Sequence, residues 1–170
     1  MFAAIKNLAI ATALAHFHGT SAAPAPVAPE VIPGPGLPSL ESLGLTSSYL
    51  YSLPRPVSDH TDNTHLLARA DPRCGDEYDY GPVDGAIACF HYLQGLGQTP
   101  CSVPSGQRRV ILCQSNGISI TGHGIGQASW CQDVALGVLW TIDHCTRPQG
   151  DTAGWAVANG NGGFYIQTGR

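Results

Sequence analysis

The chain has 170 residues, a net charge of −4 and only 12% charged residues, so its composition does not favour nucleic acid or anionic lipid as a partner. Its length suits one domain with extensions. All six cysteines (Cys74, Cys89, Cys101, Cys113, Cys131 and Cys145) lie beyond residue 70, in a stretch with no lysine and with five arginines against eight acids. An even count confined to one segment behind a secretion-type leader points to three disulfides stapling a small extracellular domain.

Residues 1–23 fit a signal peptide. Lys6 supplies the positive start, Leu8 to Ala15 the apolar run, and Ser21-Ala22-Ala23 the small residues of a cleavage site. The run is well short of the ~20 apolar residues of a membrane span, so no membrane anchor is expected. Residues 24–70 then bring eight prolines among Ala, Ser, Gly and Thr, a composition of extended, weakly structured chain. Two expectations stay open for this stretch: a disordered linker, or a propeptide cut after Arg69 in Leu66-Leu67-Ala68-Arg69. Its one apolar island, Ser48 to Leu53, is too short to form a core by itself.

The domain is expected over 71–170. Asp84 is placed to cap a first helix that carries Val83, Ala86, Cys89, Phe90, Leu93 and Leu96 on one side and ends at Gly95 and Gly97. Arg108 to Cys113 and Ile118 to Thr121 have strand character, and the intervening Asn116-Gly117 is a strong hairpin signal. Ser129 and Gln132 form a capping box before a second helix from about Trp130 to His144. A final strand follows Asn159-Gly160-Asn161-Gly162, and a short strand near Glu77–Tyr80 is expected ahead of the first helix. The order is (β)αββαβ: an α+β, disulfide-stabilised sandwich, an antiparallel sheet with two helices on one face.

Cys131 and Cys145 share the buried arc of the second helix, but fourteen residues of helix span about 21 Å, so they cannot bond each other. Six cysteines allow fifteen pairings. Among those that remain, Cys74–Cys145, Cys89–Cys131 and Cys101–Cys113 are the expected set.

No constellation in the chain compels a reaction. His91, His123 and His144 lack metal-ligand spacing, there is no CxxC, and no cofactor is expected. The acids Asp76, Glu77 and Asp79 fall within four residues, as in a solvated turn. Gly122-His123-Gly124-Ile125-Gly126 follows a strand but has no lysine or helix placed to hold phosphate. A ribonuclease-like or glycosidase-like hydrolase would draw on Glu77, His91, His123, His144, Arg108 and Arg109, and would require His91, His123 and Glu77 to converge in one cleft. On the second helix, Asp133, Gly137, Trp140 and His144 lie opposite the buried arc, which makes Asp133, Trp140 and His144 a candidate recognition face. Trp155 is expected to flank the terminal strand and pack over the sheet.

Five pieces together resemble the small cysteine-rich secreted proteins of fungi, among them the killer toxins of smut fungi and the necrosis-inducing extracellular effectors of plant pathogens. They are Cys74-Gly75-Asp76, Ala88-Cys89, Val110 to Cys113, Ser129 to Ala135 with Cys145, and Ala158 to Phe164. The resemblance implies an α/β sandwich, secretion, and action on another cell through a host or competitor-cell protein or surface component. Such toxins tend to be basic, whereas this domain is acidic, which shifts the expectation toward an effector acting by recognition. A monomeric, non-enzymatic, virulence-type protein is therefore expected, with a small secreted hydrolase or an antimicrobial or structural extracellular protein as alternatives.

Overall fold

The computed structural model describes residues 27–58 and 72–170. The proposed leader and the Arg69 cleavage point lie outside these residues. In chain order the elements are β1 (Val31–Pro33), α1 (Ser47–Ser52), β2 (Arg73–Cys74), β3 (Gly81–Pro82), α2 (Val83–Gly95), β4 (Pro100–Ser102), β5 (Arg109–Ser115), β6 (Ile118–His123), β7 (Ala128–Trp130), α3 (Cys131–Cys145), β8 (Asp151–Thr152), β9 (Gly154–Ala158) and β10 (Asn161–Gly169).

The Asn-Gly signal sets the centre of the sheet. Asn116 and Gly117 both have positive φ, at 50° and 75°, the backbone of a two-residue hairpin turn, and β5 and β6 pair across it from Ser115↔Ile118 outward. Ile118 and Ile120 turn to the core, as do Phe164 and Ile166 of β10 and Leu112 of β5. These strands belong to a six-stranded antiparallel sheet in the order β1-β5-β6-β10-β9-β2. Helices α2 and α3 pack against each other and cover the face that carries those side chains. The fold is thus α+β with a helical layer on an antiparallel sheet.

Several local expectations need correction. Helices α2 and α3 begin without side-chain caps: Asp84 accepts hydrogen bonds from Gly85 N and Asn116 Nδ2 instead, and Ser129 lies in β7. The first amides of α3 are satisfied by the backbone, since Cys131 N and Gln132 N donate to the carbonyls of Thr99 and Gly97. Residues Glu77–Asp79 form a 3-10 turn rather than a strand. The strand β9, with Trp155, was not expected as a strand at all.

The disulfides are Cys74–Cys145, Cys89–Cys113 and Cys101–Cys131. Only the first of the expected pairs is correct. The cause is a β-bulge: the β5–β6 register shifts between Ile111 and Cys113, so Leu112 and Cys113 both face the core. Strict alternation would have put Cys113 beside the exposed Ile111. The bulge turns it under α2, where it meets Cys89. Likewise Cys101 lies in the unanticipated strand β4, paired with Ser129 of β7, two residues before Cys131 at the start of α3.

Residues 27–58 also depart from the expectation of an unstructured linker. Strand β1 pairs with β5 on the sheet edge, Val31↔Ser115 to Pro33↔Cys113. Leu50 of α1 is 2% exposed and belongs to the core cluster. Ser115 Oγ donates to Glu30 O (2.8 Å), which leaves it to accept from the Tyr51 hydroxyl (2.6 Å). Tyr92 of α2 donates to Pro38 O at 2.7 Å, and burial pushes its phenol up to about 12. His91 Nε2 donates to Pro54 O, and Arg55 to the carbonyl of Ile142 in α3. The segment therefore straps the domain from the sheet edge across α2 to the end of α3.

Peptide mapping of the oxidised protein should return the three linkages above and none joining Cys89 to Cys131. A second test concerns the strap. A Cβ at Gly34 would lie 2.1 Å from Ile111 O, and truncating buried Leu50 removes core contacts, at a cost of about 2–5 kcal/mol for such a change. Gly34→Ala and Leu50→Ala should each speed limited proteolysis within 27–58. Wild-type rates in both would mean that the strap is not held by these contacts.

Candidate functional site

Three separate elements meet at one end of the helical layer. The β4–β7 ladder places Pro100 directly opposite Trp130. The first turn of α3 follows Trp130 immediately and brings Asp133 alongside. The β9–β10 turn closes the third side: Asn159 N donates to Asp133 O at 3.1 Å, and Asn161 Nδ2 donates to Ala128 O at 2.8 Å. Between them opens a cleft of about 560 Å³, lined by Pro100, Ser129, Trp130, Asp133, Asn159 and Asn161 with the small residues Ala128 and Gly160. The Cys101–Cys131 disulfide ties two of its walls together.

The polar groups of this cleft divide into two sets. The Asn161 amide is spent on structure, since its oxygen accepts from Gly163 N and its nitrogen holds Ala128 O. The side chains of Asp133, Asn159 and Ser129 make no hydrogen bond among the described residues. Burial alone raises the Asp133 carboxyl above the ordinary aspartate value, with no cation or donor to offset it. Trp130 is 46% exposed and offers its indole to the opening.

The proposed face on α3 is divided by this geometry. Asp133 lines the cleft, whereas Trp140 and His144 form a stacked pair further along the helix, ring centroids 4.6 Å apart, with His144 Nδ1 donating to Trp140 O at 2.8 Å. Seven residues, or about 10 Å of helix, separate Asp133 from Trp140. Gly137, expected on the same open face, is buried against the sheet, where a Cβ would meet Val157 O at 3.0 Å.

The side chains a hydrolase would use are dispersed. His91 faces the strap from α2. His123 lies on the sheet face away from the helices, donating to Gln167 Oε1 at 3.0 Å and packed 4.8 Å from the Trp155 ring; burial and the nearby Arg109 lower its pKa, with the Gln167 bond opposing. Glu77 belongs to the 3-10 turn in which Asp76 and Asp79 cap each other. Gly122 packs beneath the Phe164 ring, and the Gly124–Gly126 stretch is a turn beyond β6. Among the described residues no group of three or more His, Cys, Asp or Glu is placed to hold a metal ion, and no cysteine is free. No helix among them is long and apolar enough to cross a membrane.

Sequence reasoning reached Asp133 but not its neighbours. Asn159-Gly160-Asn161 read only as a turn, and Trp130 had no assignable surroundings, because nothing local links positions 100, 130 and 159.

The sequence profile of a family described as a domain of unknown function (DUF8794) matches residues 69–169, and the chain belongs to that family. No curated protein and no solved structure matches the chain.

The raised Asp133 carboxyl has a defined effect on stability. Its folded-state pKa lies above the unfolded value, so the contribution it makes is present at low pH and is lost as pH rises through the folded pKa. Asp133→Asn should therefore be at least as stable as wild type at neutral pH, with the difference closing toward about pH 3. Urea midpoints across that range test this; a variant much weaker at neutral pH would show that the carboxylate has a stabilising partner.

Proposed function

Taking membership of this family as the premise, we propose that the chain is a secreted recognition protein of effector or killer-toxin type, acting on another cell by binding a surface component through the Trp130–Asp133 cleft. The observation that carries this reading is the convergence of a half-exposed indole with three polar side chains that have no partner among the described residues, on walls joined by a disulfide. Asp133, Asn159 and Ser129 are partly exposed and make no side-chain hydrogen bond among the described residues, so one ligand can meet all three beside the aromatic surface. Three disulfides and the secretion-type leader support an extracellular site of action. The resemblance to fungal effectors and killer toxins points the same way, and the acidic, lysine-free domain favours recognition over attack on anionic membranes.

The dispersal of His91, His123 and Glu77 over different faces favours binding over the small-hydrolase alternative. The strap belongs to the secreted protein after leader removal. If processing occurs after Arg69, the strap stays attached by noncovalent contacts alone, because it contains no cysteine.

Labelled oxidised protein applied to fungal and plant cells tests this role. Wild type should bind one of the two, Trp130→Ala should bind about tenfold less or weaker, and Trp140→Ala should bind like wild type. Undiminished binding by Trp130→Ala would remove the cleft from the mechanism. The responding cell type separates toxin from effector.

A further inference from the structure

We infer that the cleft is a binding site for a neutral oligosaccharide, one sugar ring lying on Trp130 and Pro100 with its hydroxyls held by Asp133, Asn159 and Ser129; this names the ligand class of the recognition site proposed above.

The donor and acceptor inventory sets the chemistry. An ionised Asp133 only accepts, Asn159 offers two donors and an acceptor, and Ser129 does both. A matching ligand must donate to the carboxylate and also exchange hydrogen bonds in both directions with the amide and hydroxyl. Adjacent hydroxyl groups do this. The apolar half of the cleft has a matching shape: Pro100 and Trp130 lie directly opposite each other in the β4–β7 ladder, giving a broad strip beside the polar groups. A pyranose has that same division, with C–H bonds on its faces and hydroxyls on its rim. The open volume of about 560 Å³ lies in the range of small-molecule sites and leaves the chain ends of a longer saccharide free to continue into solvent.

Other ligand classes fit less well. An anion would meet Asp133, and among the described residues no Lys, Arg or His lines the cleft to compensate. A cation would gain from Asp133 and from the indole face. Yet the cleft carries a single carboxylate among the described residues, and a simple ammonium group would leave the Asn159 amide and the Ser129 hydroxyl unused. A neutral polyol uses every group present.

The test titrates the full oxidised chain with cellotetraose, laminaritetraose, mannotetraose, maltotetraose and N-acetylchitotetraose, and separately with tetramethylammonium. Intrinsic tryptophan fluorescence and calorimetry are the readouts. At least one saccharide should bind, with an affinity insensitive to salt. Trp130→Ala and Asp133→Asn should each weaken it at least tenfold, and Trp130→Phe should keep part of it. Near-UV circular dichroism and a thiol count establish that each variant is folded and oxidised. Saccharide binding unaffected by Trp130→Ala overturns the inference, as does binding of tetramethylammonium alone or of no probe. The cell-binding assay separates the two levels: if Trp130→Ala loses cell binding while no saccharide binds, the recognition role stands and the saccharide class falls; if it keeps cell binding, the recognition role itself falls.

Discussion

Each disulfide in this protein joins a helix to a strand. Cys89 ties α2 to β5, Cys131 ties the start of α3 to β4, and Cys145 ties its end to β2. The helical layer is thus fixed to the six-stranded sheet at two points, on β5 and β2, and to the separate β4–β7 ladder at a third. The enclosed loops of 71, 24 and 30 residues are long enough for each bond to restrict the unfolded chain substantially. The chain-entropy treatment puts them at about 3.5–4.5 kcal/mol each, the longest loop highest. A domain of this size has a modest core, and many of its core positions are small: Ala86, Ala88, Ala135 and Ala158 are buried among the larger side chains. The cross-links supply what that core lacks, and they also fix the cleft, because its α3 wall cannot move from its β4–β7 wall while Cys101–Cys131 is intact.

The strap solves a different problem. Strand β5 would otherwise be a sheet edge, with unpaired backbone groups open to another chain. Strand β1 pairs with it over Val31–Pro33, and Pro33 is tolerated there because an edge strand does not need every amide. The following residues then cover α2, so Tyr92 and Ala88 are buried on a side of the helix that would otherwise face solvent. No covalent link reinforces this arrangement among the described residues. The domain core is cross-linked, while its N-terminal cover depends on hydrogen bonds and a few apolar side chains such as Leu50.

What the sequence discloses here is what is local. Asn116-Gly117 specifies its own turn, and the periodicities of 83–96 and 130–145 place two helices, so the α+β class follows. What it conceals depends on partners distant in the chain. The bulge at Leu112 changes the parity of β5, and no count of alternating residues within Arg108 to Cys113 shows it; the Cys89–Cys113 bond depends on that bulge, and the Cys101–Cys131 bond on the β4–β7 ladder. The burial of Leu50 depends on α2, not on the six residues around it. The cleft was hidden for the same reason, since Pro100, Trp130 and Asn159 become neighbours only once β4, α3 and the β9–β10 turn have docked. Helical periodicity did locate Asp133, but it grouped the residue with Trp140 and His144, whose stack is a self-contained contact within α3.

The three tryptophans show why exposure alone does not define a recognition site. Trp155 packs on His123, and Trp140 stacks on His144; each has a partner in its own structure. Trp130 instead faces a space bordered by polar side chains that bond nothing among the described residues. Its walls are positioned before any ligand arrives, by a disulfide, a strand ladder and the Asn159–Asp133 and Asn161–Ala128 hydrogen bonds. A ligand bound there would require little ordering of loops or rotamers. Rigidity is therefore what the cross-linked architecture contributes to the proposed site: the bonds that hold a small domain together also keep one indole and three hydrogen-bonding groups in fixed register.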